Sequence, residues 1–276
     1  MPARSDCQSE PMSMSYLLSL PAGTGAFLFA GAIVLATWLA YFFIRPFLRV
    51  FVRSQTHANE LIGQALSVFA VLFGLLLGML SISTYQSAAE VERHVLDEGA
   101  NILALYHNAS AYEEPFRSEL KSTLREYVTY VIDDAWPLQQ QGKLPQEGGA
   151  RMKKIFDVIF GFSPETKVQE NLQTDTVGLF AKMRDARYHR LGGLVGRIPD
   201  LMWALVWIGA ISVLTLILLL DMKFALHILL SGFVAFFLGV VIYLLIALDN
   251  PFRGEVGVSA DVFREVLSTM KRVEGS

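Results

Sequence analysis

Four stretches of this chain run without a formally charged residue: Gly25–Ile44, Leu61–Thr84, Leu201–Leu220 and Phe224–Leu248. A helix rising ~1.5 Å per residue needs about 20 apolar residues to cross the hydrocarbon of a bilayer. Each stretch meets that length, so the pattern predicts four transmembrane helices. The first is too long and uninterrupted for a signal-peptide core, and no small-residue cleavage site follows it. The spans fall into two hairpins. Arg45, Arg49 and Arg53 join the first pair, with Trp38, Tyr41, Phe42 and Phe43 before them as an interfacial aromatic belt. Asp221-Met222-Lys223 turns the second pair, whose helices must therefore be antiparallel neighbours.

Between the hairpins lies an insert, Tyr85–Pro199, whose period is helical. After Tyr85 no proline occurs until Pro115, so the second span is expected to continue as one long helix. Val91, Val95, Ile102, Leu105 and Tyr106 keep helical spacing, with Glu90, Glu92, Arg93 and Asp97 on other faces. A second helix starts near Pro115, with Phe116, Leu120, Leu124, Tyr127, Val128 and Val131 periodic, and ends near Trp136-Pro137. Two more fit 148–161 and 165–190, and QQQGKLPQEGG at 139–149 reads as a linker. Beyond the fourth span, Val258–Val273 is amphipathic, with Val262, Phe263, Val266, Leu267 and Met270 on one face. No strand signal exceeds a few residues.

The second span is patterned in a way that lipid does not require. Gln64, Ser67, Val71, Gly74, Gly78, Ser81 and Tyr85 step by three or four residues and share a stripe, whereas Phe69, Leu76, Met79 and Leu80 lie elsewhere. Two readings fit. Gly74 and Gly78 form a G-x-x-x-G, which commonly packs helices of one chain. Alternatively, copies of this helix line a pore, with Gln64 and Ser67 facing water and Val71, Leu75 and Met79 forming an apolar constriction that gates by dewetting.

Composition and charge narrow the classes. With 53% hydrophobic and 18% charged residues, the chain departs from a soluble domain, and a net charge of −3 offers no basic field for nucleic acid. One cysteine, Cys7, allows neither an intrachain disulfide nor a cysteine-built metal site. No phosphate loop, zinc motif or nucleophile elbow is present, so neither enzyme nor cofactor is expected. Glu90, His94, Asp97 and Glu98 lie close on one helix and read as a solvated face with i,i+4 pairing. His227, near one end of the fourth span, is either a functional intramembrane group or a side chain reaching the interface. Lys182, Arg184, Arg187, Arg190 and Arg197 precede the third span, and Arg253, Arg264, Lys271 and Arg272 follow the fourth. Their excess over Arg45, Arg49, Arg53 and Lys223 makes the insert and both termini cytoplasmic.

The fourth span ends in Asp249-Asn250-Pro251-Phe252-Arg253-Gly254. A helix stop explains Asn-Pro, but not an acid at the membrane edge or a Phe between Pro and Arg. Asn250-Pro251-Phe252 with nearby Gly254 is similar to the Asn-Pro-Phe-Gly segment that follows the last membrane helix of bestrophins. In detail the chain resembles the bacterial four-span bestrophin-like proteins. The segments VFAVLFGLLLGMLSISTYQSA, VLDEGANILALY, REYVTYVIDDAWP and LDNPFRGEVGVSADVF carry the likeness, over roughly 60–273. Bestrophins are pentameric ion channels whose second span lines the pore, with apolar neck residues at i, i+4 and i+8. Carried over, those positions are Ser67, Val71 and Leu75; a shifted register selects Phe69, Phe73 and Leu77. Animal bestrophins add a calcium-binding run of acids, where this chain has only Glu255 and Asp261, so calcium gating is not carried over. Ion selectivity is not inherited either, because bestrophin relatives include anion and cation conductors.

The expectation is an all-α integral membrane protein of the bacterial inner membrane. It divides into an N-terminal tail (1–24), a first hairpin (25–84), a helical insert (85–199), a second hairpin (200–248) and the Asn-Pro-Phe turn with its amphipathic helix (249–276). Its partners are the lipid bilayer, small ions and further copies of itself, a pentamer by resemblance. The function implied is passive ion conduction past Gln64, Ser67, Val71, Gly74, Leu75 and Gly78. Asp249, Asn250, Pro251, Phe252 and Gly254 form the structural turn, and no metal is expected. A non-conducting membrane scaffold or sensor whose insert binds a partner is the alternative. A small transporter fits less well, since the hairpins do not mirror each other and no span is split by proline.

Overall fold

The computed structural model describes residues 20–43, 57–194, 196, 198–253 and 257–274. Cys7, Arg45, Arg49, Arg53, Arg197, Gly254 and Glu255 lie outside them. The described residues are helical and contain no strand. In chain order they form α1 (Ala22–Phe43), α2 (Ala58–Ala109), α3 (Phe116–Tyr130), a π-helical turn (Val131–Ala135), α4 (Trp136–Gln140), α5 (Gly148–Gly161), α6 (Lys167–Gly192), α7 (Asp200–Leu219), α8 (Phe224–Leu248) and α9 (Asp261–Glu274). Among the described residues four helices are long and apolar enough to cross a membrane: α1, the first part of α2, α7 and α8. This is a multi-pass membrane protein.

The chain divides into two compact units. The membrane unit holds α1, α2 as far as Tyr85, α7 and α8; the insert unit begins at Gln86 and also takes Asn250–Arg253 and α9. The 52-residue α2 is unbroken. With no proline and no interior helix stop between Leu61 and Tyr106, nothing in the sequence ends it sooner.

In the membrane unit α1 packs closely on α8. Gly239 makes this possible, because a Cβ there would lie 2.6 Å from the Ala30 Cα. Close backbone approach is how membrane helices gain packing energy when lipid removes the hydrophobic drive. Trp38 Nε1–H donates to the Ile228 carbonyl at 3.3 Å. Tyr41 is buried, with its ring centroid 4.5 Å from that of His227. Both aromatics therefore serve the α1–α8 contact, and only Phe42 and Phe43 remain exposed where an aromatic belt is expected. His227 is fully buried against Tyr41 instead of reaching outward. A second link joins the start of α2 to the α7–α8 turn. Asn59 Nδ2 donates to the Asp221 carbonyl and Asn59 Oδ1 accepts from the Asp221 N–H, both at 2.8 Å.

The insert unit has its own core. Val95, Ile102, Leu105 and Tyr106 of α2, Leu120, Leu124 and Val128 of α3, Ile155 and Ile159 of α5, Met183 of α6 and Phe263 of α9 are all essentially inaccessible. Thr166 begins α6 with a capping box, its hydroxyl accepting from the Gln169 N–H while Gln169 Oε1 accepts from the Thr166 N–H. The helix expected to stop near Trp136-Pro137 does not stop there. The Trp136 N–H bonds back to the Val131 carbonyl, five residues earlier, and the chain continues helically through Pro137 to Gln140. This one wider turn relieves the clash of the proline ring with the preceding carbonyl that an α-helical ladder would impose. Gly142 then closes α4 at φ 72°, with the Lys143 N–H reaching the Leu138 carbonyl at 2.9 Å. The supposed linker thus begins inside the fold, and its first residue, Gln139, is fully buried.

Candidate functional site

The sidedness of α2 in the membrane unit follows from its residue sizes. Phe73 and Leu77 are buried in a cluster with Val206, Ala210, Val213 and Ile217 of α7, and Leu66, Phe69, Leu76 and Leu80 pack beside them. Gly209 of α7 leaves the space that the Phe73 ring fills. The opposite face is bare. Gln64, Ser67, Val71, Gly74, Leu75 and Gly78 are all exposed, with Val71 at 63% and Leu75 at 62%. A Cβ built on Gly74 or Gly78 meets nothing within 4 Å. Among the described residues the G-x-x-x-G therefore packs against no helix of the same chain. Ser67 Oγ is satisfied within the helix, donating to the Gly63 carbonyl at 2.9 Å. Of the two candidate neck registers, Phe69, Phe73 and Leu77 point into the unit's own core, whereas Ser67, Val71 and Leu75 point out of it.

At the end of α8, Asp249 Oδ1 accepts from the Ile198 N–H at 2.7 Å within the membrane unit. In the insert unit Asn250 Oδ1 accepts from the Phe252 N–H at 3.1 Å, an Asx turn of the kind Asn-Pro favours. The Pro251 carbonyl accepts from the Val258 N–H at 2.7 Å. These bonds aim Phe252, 1% exposed, edge-on at Trp136 with centroids 5.4 Å apart. Phe263 of α9 meets the same indole at 5.8 Å. Asp261, one of the two acids judged too few for a calcium site, is engaged at the start of α9: its carboxylate accepts from Ser259 Oγ at 2.7 Å and Arg264 Nη1 at 2.5 Å. The Ser259 hydrogen bond, then that of Arg264, hold it below the usual carboxylate range.

One polar cluster escaped the sequence reading. Glu98, placed on a solvated face, is 0% exposed, and Arg190, counted among the membrane-flanking cations, is 1% exposed. Arg190 Nε donates to Glu98 Oε2 at 2.6 Å, Nη2 to Glu98 Oε1 at 3.2 Å, and Nη1 to Gln139 Oε1 at 2.6 Å. Tyr127 Oη donates to Glu98 Oε1 at 2.5 Å. The guanidinium also lies over the rings of Trp136 and Phe263, 5.8 and 5.5 Å from their centroids. Burial alone opposes the Arg190 charge, but the Glu98 carboxylate and Tyr127 outweigh it and hold the group above its ordinary range. Burial, then Glu98, push the Tyr127 phenol well above normal. The signal for this pair was present in the spacing. Position 98 falls between Val91, Val95, Ile102 and Leu105 on the apolar face, and position 190 continues Thr176, Phe180 and Met183.

A second polar contact holds the C-terminal end of α9. Tyr106 Oη donates to Glu274 Oε1 at 2.6 Å, and Arg125 pairs with the same carboxylate. Burial, then the Glu274 bond, raise the Tyr106 phenol to about 12. A folded-state pKa above the unfolded value means the contribution is complete below about pH 10 and disappears as pH climbs toward 12. Tyrosinate absorbance near 295 nm is expected to show one late-titrating phenol missing in Tyr106→Phe, with α9 losing hydrogen-exchange protection over that window.

The comparisons with known proteins agree with this architecture. The sequence model of the Bestrophin-like domain matches residues 28–263. Two point variants of a bacterial bestrophin homologue from Klebsiella pneumoniae share the fold. One aligns with a TM-score of 0.62 at 13% identity, covering 90% of this chain and 98% of that one. The other gives 0.60 at 12% identity, covering 89% and 100%. No curated protein matches the chain in sequence.

Proposed function

This chain belongs to the bestrophin-like family, and from that premise we propose that it is an ion channel. Several copies, five by analogy, assemble in the bacterial inner membrane around an axis lined by α2, with the insert on the cytoplasmic side. Small ions pass down the axis without energy input, and Val71 and Leu75 form the apolar constriction. The observation that carries this reading is the bare stripe on α2. Its two glycines face open space, its Gln64 is exposed near the start of the apolar run, and its opposite face is already filled by Phe73 and Leu77. A glutamine on a lipid-facing surface is costly, whereas a water-filled axis solvates it. Helices meeting through Gly74 and Gly78 bring Val71 and Leu75 close enough to exclude water.

Planar-bilayer recordings test the proposal. Wild type is expected to conduct, and Val71→Ala and Leu75→Ala to raise open probability or leak by widening a dewetted neck. If well-folded oligomer passes no current in any salt, and neither substitution opens a leak, α2 only packs copies together. The protein is then a membrane scaffold. A strict monomer in lipid would remove the axis altogether.

A further inference from the structure

Along the contact of α1 with α8 the membrane unit carries an open groove of about 680 Å³. Val34 and Trp38 line it from α1, and Ala225, Gly232, Phe233 and Phe236 from α8. Gly232 shapes it by letting the Trp38 indole lie close against α8, where a Cβ would come within 3.0 Å of Cζ2. The indole N–H is engaged by the Ile228 carbonyl, so the ring offers the groove only carbon. Every lining side chain is apolar. A polar guest would leave its own hydrogen bonds unmet there, so the groove takes hydrocarbon. Its depth says which kind. The lining on α8 runs from Phe224, the first residue of that span, to Phe236. Twelve helical steps cover about 18 Å, and one leaflet of hydrocarbon is about 15 Å deep, half of the bilayer core. The groove thus starts at the membrane edge and follows a single leaflet.

The charges at its mouth select the headgroup. Lys223 caps the N-terminus of α8, directly before Phe224, and its exposed side chain makes no ion pair among the described residues. The dipole of the 25-residue α8 favours an anion at the same end. The end of α1 meets this point, with the rings of Tyr41 and Phe42 5.9 and 6.3 Å from that of Phe224. After α1 the sequence continues through Arg45, Arg49 and Arg53 with no acid before Glu60, and the α7–α8 turn adds only Asp221 against Lys223. This flank of the membrane unit is net positive.

We propose that the α1–α8 groove holds one acyl chain of an anionic phospholipid, with the lipid phosphate at Lys223. A leaflet-deep apolar groove that opens at a cation matches a molecule with a hydrocarbon tail and a negative head. A zwitterionic lipid brings the same tail, but its own ammonium offsets its phosphate, so a net positive flank favours the anionic one. The bound chain covers Trp38 and the exposed Phe233 and completes the packing of α1 on α8 from the lipid side. No residue of α2 lines the groove, so the site is separate from the stripe proposed to face other copies.

The test uses the full chain in nanodiscs of phosphatidylcholine, into which phosphatidylglycerol with brominated acyl chains is titrated while tryptophan fluorescence is read. Bromine quenches an indole that it touches, and the difference between wild type and Trp38→Phe separates Trp38 from Trp136, Trp203 and Trp207. Half-quenching of the Trp38 component is expected at a phosphatidylglycerol fraction about fivefold or more below that needed with brominated phosphatidylcholine. Lys223→Gln is expected to raise the phosphatidylglycerol midpoint about fivefold and to leave that of phosphatidylcholine unchanged. Ala225→Phe, which fills the groove from α8, is expected to abolish the preference. Native mass spectrometry of wild type, which needs no substitution, is expected to retain phosphatidylglycerol over phosphatidylcholine by a similar factor. Equal midpoints and equal retention of the two lipids mean ordinary boundary lipid and overturn the proposal. A Trp38 component that neither lipid quenches, the result if a second copy covers the groove, overturns it as well. So does a preference that survives both Lys223→Gln and Ala225→Phe. None of these readouts requires conduction, so this proposal and the channel reading fail separately.

Discussion

Arg190→Ala is expected to destabilise the insert unit by about 3–5 kcal/mol, the range for stranding one member of a buried ion pair. The substitution removes the two guanidinium donors to Glu98 and the donor to Gln139, and leaves a buried carboxyl with only the Tyr127 hydroxyl as partner and no counter-charge. Domains are commonly stable by ~5–15 kcal/mol, so a loss of this size takes much of the margin. Thermal or denaturant unfolding of purified protein reads the effect. A partner experiment separates the pair's net worth from the penalty of orphaning Glu98. Replacing both residues together, Glu98→Leu with Arg190→Met, is expected to recover much of the loss, because apolar side chains of similar volume need no counter-charge. Unfolding of Arg190→Ala at the wild-type midpoint would show that the pair contributes nothing.

Phe252→Ala is the second large effect, at about 3–5 kcal/mol for emptying an aromatic site in a packed core. Phe252 is 1% exposed and abuts Trp136, which also contacts Phe263. Truncation leaves the indole with a void on one side, and α9 loses the surface that Phe263 completes. Hydrogen exchange is expected to rise along α9, with Phe252→Leu intermediate. Unchanged protection of α9 would mean that the Asn-Pro-Phe turn ends a helix and does nothing more.

Much of this fold was legible as periodicity. Apolar runs gave the four spans, and the helical spacing of Val91, Val95, Ile102 and Leu105 gave the inward face of the long helix. The bounds of α5 and α6 fell within a few residues of those expected. What escaped was set by pairing across distance. Glu98 and Arg190 lie 92 positions apart, and each alone looks like a surface charge. Only the helix-face register exposes them, since a charge on an apolar stripe must find a partner or not fold. Gln139 hid inside a composition that reads as linker, because a local window cannot see the guanidinium it accepts from. Pro137 was misleading for a different reason: it forbids an α-helical hydrogen bond but tolerates a wider turn.

The α2 stripe shows the same limit on the functional side. Spacing alone could not choose between a self-packed G-x-x-x-G and a surface left for other copies. The side chains that cover the other face of α2 are on α7, where Gly209 and its neighbours take Phe73, while among the described residues nothing packs on Gly74 or Gly78.

The close approach of Ala30 and Gly239 has a consequence for biosynthesis. α1 leaves the ribosome well before α8, the helix it packs on most closely. At ~5–20 residues per second, α1 waits on the order of ten to forty seconds before α8 is made. Throughout that interval its Gly- and Ala-rich face is open to any other small-residue helix in the same membrane. An insertase or chaperone that shelters α1 until α8 arrives would therefore raise the yield of correctly assembled protein more than one acting on the α7–α8 hairpin, whose halves emerge together.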